Sequence, residues 1–200
     1  FVQQANTNSS KFISNFQYED YVTDYDCLML CLTLLSTEKC NSIQKQYISE
    51  IASNIAGNNV EIAGLLANEG LILAEDPYGT ASQVLWDNDV KIANLTDVVE
   101  TAVWKAQIKL VFPELEDFRR NLVQKYSDKI KNYLPITSSS GERIDKPSDV
   151  EIGQLFYIAG KGKFLDKNEF DILNKMRDAR NLLAHRYSIE FDKLKEVKLI

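Results

Sequence analysis

Histidine is nearly absent from this chain: there is one in 200 residues, His185. Any proton-transfer role it has cannot pass to a second imidazole. Cysteine is scarce too, limited to Cys27, Cys31 and Cys40. Cys27 and Cys31 are four apart in an apolar run, so they share one helical face and read as buried, reduced thiols. With the single histidine far away in sequence, these cysteines do not make a zinc site, and no metal is expected. Lys161-Gly162-Lys163 lacks the Gly-x4-Gly-Lys-Ser/Thr pattern of a phosphate loop, and no cofactor is expected. Eight glycines and four prolines leave few turns, which argues against many short strands and for long helices. No apolar run approaches the ~18 residues that a bilayer span requires. The start of the chain has no basic-then-apolar signal pattern, and with the odd cysteine count this points to the cytoplasm. The first residue is Phe1 rather than methionine, as in a fragment or a processed product of a longer protein.

Positive charge is also in deficit. The net charge of −6 excludes a protein that coats nucleic acid without specificity, although it leaves room for one local phosphate site. The deficit is uneven. Residues 1–95 carry 12 acidic and 4 basic side chains, a net of −8, whereas residues 96–200 carry 17 and 19, a net of +2. All six arginines (119, 120, 143, 177, 180 and 186) lie in the second part. The split suggests an acidic accessory region, 1–95, which offers a surface to a protein partner, and a second region, 96–200, with a different task.

What remains is a series of amphipathic helices. Tyr21, Tyr25, Leu28, Leu32 and Leu35 recur at helical spacing and predict a helix over 18–36. Residues 1–17 are polar and frayed by composition. A second helix spans 42–56, with Ile43, Tyr47, Ile51 and Ile55 in one stripe and Gly57 as its left-handed stop. A third covers 60–69, closed by Gly70. Asp76-Pro77 opens a fourth that carries Trp86. Thr96 is the expected N-cap of a strongly periodic helix that Phe112-Pro113 must break or kink. Pro113 then suits the first turn of a helix reaching 126–133. Residues 135–149 read as the clearest loop. Ser148 and Glu151 form a candidate capping box for a helix over 148–159. The last long helix starts at Asp166 or Asn168 and runs to about 186, with Phe170, Leu173, Met176, Leu183 and Tyr187 facing inward. The fold class is therefore all-α, with four helices in the second region, the minimum that encloses a bundle core.

On that last helix lies Arg180-Asn181-Leu182-Leu183-Ala184-His185. A guanidinium carries permanent charge and a fork of donors suited to phosphate oxygens. An imidazole is the side chain most easily poised to move protons near neutral pH. The pair has the R-x4–6-H spacing and late position seen in HEPN domains, and about 90 residues of the second region resemble that family. The acidic first region looks like the helical accessory segments beside such domains in bacterial conflict systems. The resemblance implies a helical bundle that dimerises, bringing two motifs together, and a metal-independent endoribonuclease acting as a toxin or antiviral defence effector. It implies that His185 moves protons, that Arg180 stabilises transition-state charge, and that Asn181 orients His185 or holds a phosphate oxygen. Five residues apart on a helix, Arg180 and His185 diverge by about 140°. Asn181 and His185 share a face, which Arg177 extends.

Arg177, Arg186, Arg119 and Arg120 are candidate contacts to RNA phosphate. The bland reading of Arg119-Arg120 is a solvated basic pair, and that of Arg180 is an ion pair with Asp178 or an acid of the first region. A histidine near a helix C-terminus is favoured by the helix dipole alone. The alternative function is a non-catalytic HEPN-like module for dimerisation or for binding a partner or nucleotide, alone or within a larger protein.

Overall fold

The computed structural model describes residues 22–138 and 140–200. It is a helical bundle. The order is α1 (Asp24–Leu34), α2 (Ser42–Ala56), α3 (Val60–Asn68), α4 (Leu71–Glu75), α5 (Pro77–Asp87), α6 (Leu95–Lys125), α7 (Ser127–Lys131), α8 (Ile152–Gly162), α9 (Lys167–Ala184) and α10 (Phe191–Glu196). One hydrophobic core runs through it, from Val22 to Ile200, drawing on residues both before and after position 95.

Local chemistry places most helix starts. Asn41 and Gln44 form a capping box at α2, Asn59 caps α3, and Asp76 caps α5 with Pro77 in its first turn. α2 is the central element, flanked by α1, α3, α4 and α6. Its burial goes beyond the expected stripe. Ile48, Ser49, Glu50, Ala52 and Ser53 are buried along with Tyr47, Ile51 and Ile55, while Ile43 lies at the surface.

Several expectations change. Residues 18–21 of the first expected helix lie outside the described residues. Within α1 the fully buried residues are Cys27 and Cys31; of the expected stripe, Leu35, just after α1, is buried, Leu28 and Leu32 are half-buried and Tyr25 is exposed. Pro113 does not interrupt α6, which is continuous over 31 residues. Val111 and Leu115, one turn apart on either side of it, are both buried and anchor the helix, while Pro113 sits on the solvent face. There the carbonyl that loses its amide partner meets water, so the missing bond is tolerated. α6 begins at Leu95 with Asn94, in a left-handed conformation, as its cap in place of Thr96. The 135–149 loop holds a short antiparallel ladder pairing Ile136 with Ile144 and Thr137 with Arg143, then a 3-10 turn at Pro147–Asp149. Because Ser148 lies in that turn, the capping box of α8 is Glu151 with Gln154. Two short helices, α4 and α10, have no counterpart in the sequence reading. Trp86, for which core or interface is the expected place, is 80% exposed, so it is not in the core. Among the described residues no helix is long and apolar enough to cross a membrane.

Candidate functional site

α9 carries the motif. Asp166 accepts the Glu169 amide at 2.8 Å and starts it, and Leu173, Met176, Ala179 and Leu183 bury its inner face. Arg177 and Arg180 point toward α8. The Arg177 guanidinium lies 4.0 Å from the centre of the Phe156 ring and bonds Asp178 at 2.7 Å. Arg180 approaches the Glu151 carboxylate at 3.6 Å. The Asp178 pairing open to Arg180 in the sequence is therefore made by Arg177. No hydrogen bond or ion pair joins Arg180 to His185.

His185 is the C-cap of α9 and is exposed. Among the described residues its side chain has no hydrogen-bond partner, and neither has that of Asn181. The backbone around it is, by contrast, heavily constrained. The Tyr187 amide bonds the Leu182 carbonyl at 2.9 Å, and the Arg186 amide bonds the Leu183 carbonyl at 3.2 Å. These two bonds define a Schellman motif, whose left-handed position is normally glycine. Here it is Arg186, at φ 64°. The Arg186 guanidinium bonds the Thr101 hydroxyl at 3.3 Å and lies 5.9 Å from the centre of the Trp104 ring. The Trp104 indole N–H donates to the Leu183 carbonyl at 2.9 Å.

One turn further along α6, fully buried Gln107 reads the backbone of Ile189 both ways. Its Nε2 donates to the Ile189 carbonyl at 2.8 Å, and its Oε1 accepts the Ile189 amide at 2.7 Å. The same Nε2 also donates to the Tyr47 hydroxyl at 2.9 Å. Burial pushes the Tyr47 phenol up to about 12, against the lowering effect of that bond. Thr101, Trp104 and Gln107, three apart on α6, thus hold the chain where it leaves the motif. Tyr187 is not packed inward as the periodicity predicts. It is 64% exposed, because the chain reverses at Arg186.

The outlying arginines separate. Arg119 is not a free surface charge: it bonds Glu116 at 2.9 Å and the Val150 carbonyl at 3.0 Å, tying the segment before α8 to α6. Arg120 is exposed and lies 3.6 Å from Asp117. Arg186 has no carboxylate partner among the described residues. The sequence reading missed Trp104 and Gln107 as residues of this region, because their partners are backbone groups about 80 positions away, and no spacing rule reveals those.

Two clefts lie elsewhere. The larger, about 520 Å³, is lined by Tyr47, Val103, Glu75, Glu100, Glu190 and Asp192, and its carboxylates would repel a polyanion. The smaller, about 430 Å³, lies where α7 and α8 end, and its Lys129 and Lys163 stand at negative helix termini. No group of three or more His, Cys, Asp or Glu placed to hold a metal ion occurs among the described residues.

No family model matches the chain, no curated protein is similar to it, and no solved structure matches its fold.

Proposed function

We propose that this chain is a metal-independent endoribonuclease of the HEPN type, a toxin or defence effector that works as a homodimer. The observation that carries the reading is an uncommitted imidazole. His185, the only histidine, is exposed at the end of α9, with no hydrogen bond or ion pair among the described residues, Arg180 on the preceding turn and Arg186 beside it.

In the proposed reaction the ribose 2′-OH attacks the adjacent phosphorus and the bond to the 5′ oxygen breaks. The products carry a 2′,3′-cyclic phosphate and a 5′-OH. His185 moves protons between the attacking and leaving oxygens. Arg180 stabilises the extra negative charge on the phosphoryl oxygens. Its contact with Glu151 is long and solvent-exposed, so releasing the guanidinium to a phosphate costs little. Asn181 has a free amide to orient His185 or hold an oxygen. Arg180 and His185 diverge on one helix, and two chains related by a twofold axis bring the arginine of one toward the histidine of the other. Among the other basic candidates, Arg120 is exposed beside Asp117 and Arg186 bonds the Thr101 hydroxyl but no carboxylate among the described residues, whereas Arg177 and Arg119 are held by internal partners.

One observation favours a second reading. Leu182 and Tyr187, beside the motif, are exposed apolar side chains suited to a non-catalytic docking surface.

A cleavage assay separates the two. Purified protein in EDTA, given mixed RNA, is expected to yield fragments with 2′,3′-cyclic phosphate ends, and His185→Ala to lose at least about 100-fold of that activity. Intact RNA under these conditions would leave the docking module.

A further inference from the structure

His185 poses a physical problem: among the described residues no hydrogen bond or ion pair holds its exposed side chain, yet proton transfer requires an imidazole at a fixed place. Its position must come from the backbone turn that carries it. That turn holds a non-glycine residue, Arg186, in the left-handed region, a conformation that persists only where its surroundings enforce it. The enforcing groups are on α6. We propose that Trp104 is the positioning residue of the His185 turn, an assignment that rests on the ribonuclease reading for its purpose but not for its geometry.

Trp104 acts at two points. Its indole N–H, 2.9 Å from the Leu183 carbonyl, occupies the second acceptor site of a carbonyl that already receives the Arg186 amide. This fixes the last turn of α9 two residues before His185. Its ring also lies under the Arg186 guanidinium, which Thr101 steadies at 3.3 Å. This fixes the residue immediately after His185. Gln107 then holds Ile189 through both backbone groups and prevents the outgoing chain from carrying the turn away. His185 is therefore bracketed on both sides by contacts to one rigid helix. Preorganisation of this kind costs nothing at the moment of reaction, whereas a mobile imidazole would first have to be ordered.

The single histidine makes the test direct, since its imidazole C–H signals in a proton–carbon NMR spectrum need no assignment. Trp104→Phe keeps an aromatic ring in the site and deletes the indole N–H together with the five-membered ring that carries it, so Thr101→Val, which leaves Trp104 whole, is read beside it. Thr101→Val removes the anchor of Arg186 and serves as a second, independent variant. In both, amide exchange at Arg186 and Tyr187 is expected to accelerate about fivefold or more, the effect of one hydrogen bond. The His185 signals should shift or broaden, while exchange in α2 and the core of α6 stays at the wild-type rate. In the cleavage assay kcat should fall by a larger factor than KM rises, because the loosened imidazole acts on the reacting atoms and Arg186 on the RNA backbone.

Unchanged exchange at 186–187 and unchanged His185 signals in both variants would overturn the proposal. So would a uniform loss of protection throughout the bundle, which would make Trp104 merely structural. A loosened turn in a protein whose wild type cleaves no RNA would sustain the positioning role and remove the ribonuclease reading.

Discussion

At the scale of single residues, the chain contrasts committed and free groups. Cys31 is fully buried, its thiol donates to the Ala63 carbonyl at 3.4 Å, and burial pushes it up to about 12. Cys27 is buried beside it and raised for the same reason, with further help from Asp24 and Asp26. Cys40 is partly exposed. A thiol-reactive dye at pH 8 is therefore expected to label one cysteine rapidly in the native protein and all three after unfolding. Rapid labelling of Cys31 in the native state would contradict the packing of α1. The inward face of the two cysteines was legible from their four-residue spacing. The conformation of Arg186 was not, because glycine is the sequence signal for a left-handed cap and arginine gives none. His185 and Arg180 were found by spacing and chemistry, but their partners, or lack of them, depend on α6 and α8.

At the scale of elements, contacts distant in sequence decide what local signals leave open. Helix α2 had a readable end because Gly57 is local stop chemistry. Helix α6 did not, because the effect of Pro113 depends on whether its face meets solvent or core. Beside the Trp104 and Thr101 contacts, two further polar junctions tie α6 to the motif-bearing part. Gln107 is one. Gln107→Leu strands the amide and carbonyl of Ile189 and is expected to cost about 3 kcal/mol in urea unfolding. A loss below about 1 kcal/mol would show that water replaces it. The other junction is Glu169, which accepts from Lys125 at 2.6 Å and from the Tyr126 hydroxyl, also at 2.6 Å. The Lys125 bond, then the Tyr126 bond, hold the Glu169 carboxyl below its ordinary value of 4.5. A lowered carboxylate stabilises the fold above that value, and the contribution disappears as pH falls through the lower folded one. Lys125 has the opposite sign. Held above its ordinary 10.5, chiefly by the Glu169 bond, it loses its contribution only as pH rises through the folded value. Between these limits the junction is intact. Glu169→Gln should therefore lower stability at pH 7 more than at pH 3, as measured by urea titration at both. An equal loss at the two pH values would assign the effect to packing.

At the scale of the whole molecule, a bundle of net negative charge carries Arg180, His185 and Arg186 around the end of α9. The all-α architecture was readable from the scarcity of turn residues and the helical periodicity. The arrangement around α2, the extra helices α4 and α10, and the α6 support beneath the motif were not, since each depends on packing between distant segments. The proposed site needs two chains, because Arg180 and His185 do not meet within one. Mixing two inactive variants, Arg180→Ala and His185→Ala, tests this most directly. After subunit exchange, half of the dimers contain one variant of each kind. If the arginine of one chain serves the histidine of the other, one of the two sites in each such dimer keeps both groups. The account predicts that each variant alone is inactive and that the mixture recovers about a quarter of wild-type cleavage, as an isologous twofold site requires. A mixture that stays silent after verified exchange, or full activity in His185→Ala alone, would contradict it.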